Sequence, residues 1–145
     1  MDSNYSNLVY LHDLLESIIE HNPVLVSFLL KNEGIVVKDV VFANKEQQLP
    51  NGRRVDVIYV TADGLCIGFE IKTGNHVKES QIKEELEGLK KLPHCLDSRV
   101  VVISPFEPNV NAENTYYIPL SSFLPKVREV TNLIAKFVRE IEERD

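Results

Sequence analysis

The stretch Arg53-Arg54-Val55-Asp56-Val57-Ile58-Tyr59-Val60-Thr61, then Ala62-Asp63-Gly64, then Leu65-Cys66-Ile67-Gly68-Phe69-Glu70-Ile71-Lys72 decides the fold. Both arms are rich in β-branched and aromatic residues. The middle is a turn signal ending in Gly, as a three-residue hairpin loop with a left-handed glycine requires. If Thr61 pairs with Leu65, Asp56 lies directly opposite Glu70, and Arg54 opposite Lys72. Side chains alternate along a strand, so Asp56, Glu70 and Lys72 then share one face. Two carboxylates at directly opposed positions sit about 5 Å apart and repel. A divalent cation between them turns that cost into a binding site, and hard cations such as Mg²⁺ take one or two carboxylates and keep several waters for substrate. Glu70 and Lys72 end a strand reading Leu-Cys-Ile-Gly-Phe, where charges need a reason. The other reading is an exposed strand end whose Glu and Lys merely solvate the sheet.

Outward from the hairpin, the chain alternates helical and extended patterns. Leu8, Leu11, Leu15, Ile18 and Ile19 recur with helical spacing and predict a helix over about 7–20. Asn22-Pro23 reads as an N-cap followed by Pro at the first helical position, opening a short apolar helix from Val24 to Leu30 that ends near Gly34. Ile35 to Phe42 reads as a strand and Asn44 to Gly52 as a polar loop. After the hairpin, Thr73-Gly74-Asn75 breaks the strand. Lys78 to Leu92 reads as a helix stopped by Pro93, Arg99 to Ser104 as a buried strand, Thr115 to Leu120 as an edge strand, and Ser122 to Glu142 as a last helix. That helix carries Val127, Val130, Ile134, Phe137, Val138 and Ile141 on one stripe, fit for packing on the core or for the seam of a homodimer. The order predicts an α/β (α+β) fold with a central mixed sheet.

The 145 residues suffice for one domain with a real core, and a hydrophobic content of 43% excludes a disordered chain. No apolar run reaches the roughly 18 residues of a membrane span, and the polar start Met-Asp-Ser-Asn-Tyr-Ser-Asn is no signal peptide. Cys66 and Cys95 lack zinc-ligand spacing, so a reducing cytoplasm is the expected location and Cys66 reads as a small core residue. A net charge of −6 argues against an avid nonspecific nucleic-acid binder. The acidic residues gather at the C-terminus, however, while Arg53, Arg54, Lys72, Lys78, Lys83, Lys90 and Lys91 lie near the hairpin site. Modest, salt-sensitive binding is the expectation.

Asp56 followed by Glu70-Ile71-Lys72 resembles the PD-(D/E)xK nuclease superfamily, whose motif is an acidic residue on one strand and Asp/Glu-x-Lys on the next. Helix(es), strand, hairpin, helix and strand is also the order of that superfamily's restriction-endonuclease-like core. Leu14-Leu15-Glu16-Ser17-Ile18-Ile19-Glu20-His21-Asn22-Pro23 and Gln48-Leu49-Pro50-Asn51-Gly52-Arg53 look like segments of one branch, similar to the nuclease domain of archaeal single-strand and mismatch-specific endonucleases. These patches cover about 14–89. The strand-initial Pro of the superfamily name is absent, Val55 standing before Asp56.

The resemblance implies that Asp56 and Glu70 bind Mg²⁺ or Mn²⁺ with the Ile71 backbone carbonyl as a third ligand. It implies that Lys72 positions or activates the attacking water and stabilises phosphate charge. Glu16 matches an upstream helical glutamate better than Glu20 does, and Gln81 matches a glutamine on the helix after the motif strand. Both also read as solvated helix residues. The branch carries an aromatic four residues after that Gln, where this chain has Glu85. Arg53, Arg54, Lys78 and His76 are candidates for holding phosphates, although either arginine could instead pair across the hairpin. His12, His21 and His94 read as surface residues. The function implied is a metal-dependent nuclease, a DNA endonuclease by preference. The alternatives are a catalytically idle nuclease-fold binding module, expected to have lost one of the trio, and an interaction module in which the trio is a surface salt-bridge cluster.

Overall fold

Strand pairing in the computed structural model follows the register set by the hairpin turn. The structure describes residues 2–73 and 77–144. His76, and the Gly74-Asn75 part of the predicted strand break, lie outside the described residues. The elements run α1 (Asp2–His21), α2 (Pro23–Asn32), β1 (Val40–Gln48), β2 (Arg54–Thr61), β3 (Leu65–Ile71), α3 (Glu79–Lys90), β4 (Asp97–Ser104), β5 (Thr115–Pro119) and α4 (Leu120–Glu143). The five strands form one sheet in sequence order. β2 runs antiparallel to its neighbours β1 and β3, and β3, β4 and β5 are parallel. The fold is therefore α+β, a mixed sheet with a hairpin inside it and helices on its faces.

The hairpin forms because its turn chemistry is satisfied locally. Gly64 takes φ +91°, a left-handed conformation that would strain any side chain, and its N–H donates to the Thr61 carbonyl at 3.2 Å. The Thr61 hydroxyl accepts the Leu65 N–H at 3.0 Å. Val60 then faces Cys66, Tyr59 faces Ile67, Ile58 faces Gly68 and Val57 faces Phe69. The period of two divides the apolar side chains between two cores. On one face Val57, Tyr59, Ile67, Phe69 and Ile71 pack with Leu15, Ile19, Val26, Leu29, Leu30 and Phe123 from α1, α2 and α4. On the other, Ile58, Cys66, Val100 and Val102 pack with Ile82, Leu86 and Leu89 of α3.

Two expectations need correction. The strand expected at Ile35 to Phe42 lies later, at Val40–Gln48, and most of the supposed polar loop is strand. Ile35 and Val37 are buried as core plugs ahead of it, and Asp39 at φ +56° redirects the chain. β1 is an edge strand with much of its surface exposed, so its sequence lacks the apolar alternation that marks a strand. Asn22 precedes Pro23, but its side chain makes no N-cap bond; it donates backwards to the Ile18 carbonyl at 2.9 Å. The stripe on α4 is divided. Val127 and Val130 pack against the core, whereas Leu133, Ile134, Phe137, Val138 and Ile141 are each about half exposed or more.

Candidate active site

The β2–β3 ladder closes at Val57 and Phe69, one step short of Asp56 and Glu70. Beyond it the strands part, and the fork between them is where the acidic side chains gather. The predicted face-to-face opposition of Asp56 and Glu70 is thereby modified. Val55 turns to the α3 face, its methyl filling the space over Gly68, where a Cβ would lie 2.9 Å from Val55 Cγ1. Asp56 Oδ2 accepts the Ile71 N–H at 2.7 Å and so replaces the missing ladder bond. In an extended strand the N–H and C=O of one residue point the same way, so the Ile71 carbonyl also faces the fork. The Lys72 N–H donates to the Ile103 carbonyl at 2.9 Å, which extends the β4 pairing past the end of β3 and fixes Lys72 at its mouth.

On one side of the fork stands α1. Glu16 is only 4% exposed, and its Oε2 is buried without a hydrogen-bond partner. Carboxylate oxygens of Glu16, Glu46 and Asp56 lie within 4.8 Å of one another. Glu46 reaches the cluster from β1, with its backbone at φ +54°, a conformation rare for a side chain of its kind. The β1–β2 register runs Lys45 to Val57 and Gln47 to Val55, skipping Glu46 and Asp56. His12, one helical turn before Glu16, places Nε2 3.4 Å from Asp56 Oδ2. Glu20 points elsewhere, accepting the Lys45 N–H at 2.8 Å and tying α1 to β1.

On the other side stands α3. Gln81 Nε2 donates to Glu70 Oε2 at 3.2 Å and to Glu85 Oε1 at 3.3 Å. Lys72 Nζ lies 4.0 Å from Glu70 Oε2. Glu70 is 3% exposed and Glu85 fully buried, and Glu85 Oε2 also lacks a partner.

Burial dominates the electrostatics. Loss of water, then the Glu46 carboxylate beside it, pushes the Glu16 carboxyl up to about 8. Burial, then the neighbouring Glu85 and Asp56, holds Glu70 well above the usual carboxylate range, with Lys72 pulling the other way. Glu85 is raised by burial too. His12 goes up to about 9, chiefly through its bond to Asp56. A set of crowded, water-poor carboxylates with two unpartnered buried oxygens suits a hard divalent cation, which takes oxygen ligands and removes the repulsion. Among the described residues, the groups whose ligand atoms come within 4.8 Å of one another are Glu16, Glu46 and Asp56, and His12, Asp13 and Glu16; Glu70, held by Gln81 of α3, stands outside both.

The structure thus brings Glu16, Asp56, Glu70, Ile71, Lys72 and Gln81 to one fork. It gives the arginines other partners. Arg53 pairs with Glu84 of α3, and Arg54 Nε lies 2.9 Å from Glu46 Oε2, on β1 rather than across the β2–β3 hairpin. Lys83 and Lys90 also pair, with Glu79 and Glu87. The basic cluster read from the sequence is therefore substantially neutralised, while Lys78 is exposed just before α3. His12 is half-buried at the site rather than on the surface. Its signal was the four-residue spacing to Glu16, which sets both on one helical face. Glu46, lying in an apparent loop, carried no such signal; Glu85 stands four residues after Gln81, a spacing masked by the charged residues around it.

A solved structure similar to this chain is a repair endonuclease from Pyrococcus abyssi, 18% identical, with a TM-score of 0.48. The match covers 72% of this chain but 44% of that one, so this chain spans less than half its length. No family model matches the chain, and no curated protein sequence does.

Proposed function

We propose that this chain is a metal-dependent nuclease that hydrolyses phosphodiester bonds, acting on DNA as an endonuclease, with Mg²⁺ or Mn²⁺ at the fork. The convergence of Glu16, Asp56, Glu70 and Lys72 from three separate elements, with a buried carboxylate oxygen left unpartnered, carries this reading. A solvated strand end would leave Glu70 wet, yet it is 3% exposed.

Asp56, Glu70 and the Ile71 carbonyl would hold the cation, which when bound supplies charge neutralisation and an acidified water. Lys72 sits at the open end of the strand, 26% exposed in its side chain, and presents a point charge to a scissile phosphate. Gln81 holds Glu70 in place and turns its amide toward the same space. The half-buried His12, bonded to Asp56, fixes that carboxylate from the α1 side. Lys78 supplies a phosphate contact, and Arg53 and Arg54 contribute by exchanging Glu84 and Glu46 for phosphates. Their present pairing makes the expected binding modest and steeply salt-dependent. The cytoplasm is the compartment that fits two cysteines that remain free. Among the described residues no helix is long and apolar enough to cross a membrane.

The test is cleavage of plasmid and single-stranded circular DNA with Mg²⁺ or Mn²⁺ by the native protein, Glu70→Ala and Lys72→Ala. Cutting of circles that both variants lose is the expected result. Equal cutting by the variants, or none by the native protein, overturns the assignment.

A further inference from the structure

α4 runs from Leu120 to Glu143, about 36 Å of helix, yet only its first half is attached to the domain. Phe123 is buried, Val127 and Val130 pack against the core, and the helix touches α2, β4 and β5. Over residues 131–143 every residue is exposed, so about three and a half turns have no side covered. A helix that stands alone in water carries polar residues all round. This one carries Leu133, Ile134, Phe137, Val138 and Ile141, each about half exposed or more. Val127, Val130, Ile134, Phe137 and Ile141 follow the alternating three- and four-residue spacing of a heptad seam, and Leu133 and Val138 flank it. Only the start of that seam is used by the core. A folded monomer rarely leaves a contiguous apolar stripe uncovered, and an isolated helix this short is marginal in water without packing.

The charges say what covers it. In the half nearer the domain Arg128 and Lys136 outweigh Glu129, whereas at the tip Glu140, Glu142 and Glu143 outweigh Arg139. Two such helices laid side by side in the same direction would set one acidic tip against the other. Turned head to tail, each acidic tip lies along the basic half of its neighbour. Setting Ile134 of one copy against Phe137 of the other also sets Val130 against Ile141 and brings Arg128 near Glu142. One register thus serves both the seam and the charges, and the helix is complementary to itself, as an interface about a two-fold axis requires.

We propose that the projecting half of α4 is a homodimer interface, an antiparallel helix pair made with the same helix of a second copy of this chain. The inference does not depend on the chemistry at the fork; each dimer carries two forks, whatever they do.

The test is analytical ultracentrifugation of the native chain and of a double variant, Ile134→Glu with Phe137→Glu. Both positions are exposed and outside the core, and circular dichroism checks that the variant is folded. The expected result is a native dimer whose association weakens at least about tenfold in the variant. A native chain that stays monomeric up to about 100 μM overturns the proposal, and so does a dimer that survives the double variant unchanged. If the double variant fails to fold, Phe137→Ala decides by the same readout. Orientation is read from Glu143→Cys in a Cys95→Ser background, oxidised with a glutathione disulfide buffer. An antiparallel pair holds the two tips apart and leaves these cysteines unlinked to each other. A disulfide joining tip to tip overturns the antiparallel arrangement.

Discussion

Replacing Glu16 with Gln should stabilise the metal-free protein while damaging its activity. Glu16 is 4% exposed, and its carboxyl is lifted from 4.5 to about 8 by burial and by Glu46. For an acid whose folded pKa lies above its unfolded one, the native state holds the extra proton between the two values. Stability then falls as pH rises from about 4.5 to about 8 and levels off above. Taken in full, a shift of that size costs about 3 kcal/mol at pH 7 and about 5 kcal/mol well above pH 8. Gln keeps the shape and stays neutral, so Glu16→Gln escapes this loss. His12 adds a slope of the same sign: its raised pKa, about 9, contributes stability present below pH 6.5 and lost as pH rises through 9. That slope survives the substitution, because its first cause is the bond to Asp56. The assay is urea unfolding in EDTA, followed by circular dichroism from pH 5 to 9. Native and variant should agree near pH 5 and diverge by a few kcal/mol at pH 8, the variant being the more stable. With Mg²⁺ present the native protein should recover the difference and the variant should gain less. A native stability that stays flat over this range, or a variant less stable at pH 8, would refute the argument that an uncompensated carboxylate is buried at the fork.

Three further outcomes follow from local geometry. Lys72→Met should keep the fold and lower cleavage by about two orders of magnitude, read as rates at saturating Mg²⁺, because it removes one positioned charge at the mouth of the site. Gly88→Ala should destabilise the protein by about 1–3 kcal/mol even though Ala favours helices. The added methyl would collide with Asn51 Oδ1 and lie 2.9 Å from Leu49 Cδ1, where Asn51 docks on α3 through a 2.7 Å bond to the Glu84 carbonyl; a rise in melting temperature would contradict this. Tyr59→Phe should cost about 1 kcal/mol in thermal unfolding, since the buried hydroxyl donates to the Ile19 carbonyl near the end of α1, where no helical partner remains.

Local chemistry made the hairpin legible in the chain itself. Ala62-Asp63-Gly64 reads as a three-residue loop ending in a left-handed glycine, and the register that such a loop sets is the one found from Val60 and Cys66 to Val57 and Phe69. From Val57 to Val60 and from Cys66 to Ile71 the period of two then decides which side chains face α1 and which face α3, and it breaks at Asp56, so that Val55 and Val57 face opposite cores. Helical spacing placed α1 and α4, Pro23 and Pro93 marked the start of α2 and the end of α3, and the motif residues Asp56, Glu70 and Lys72 were nameable because their sequence distances match strand geometry. β1 was displaced because an edge strand needs no apolar alternation, so its pattern is that of a loop.

The composition of the site was decided by tertiary structure. Asp56 stands outside the ladder, beside Val55 packed over Gly68, and its carboxylate bonds the Ile71 N–H, fifteen residues away in the chain. Glu46 enters the cluster through a backbone conformation that no residue pattern announces. Glu85 sits in the charged stretch Lys83-Glu84-Glu85-Leu86-Glu87, yet it is fully buried while Glu84 and Glu87 are exposed. A charge pattern counts residues along a helix, whereas burial depends on which helical face meets the sheet. His12, Arg53 and Arg54 took their partners from elements distant in sequence. Hydrophobic spacing therefore determined the scaffold and the motif, since both are short-range consequences of backbone geometry. Which further acids and bases share the fork was determined only when separate elements packed together.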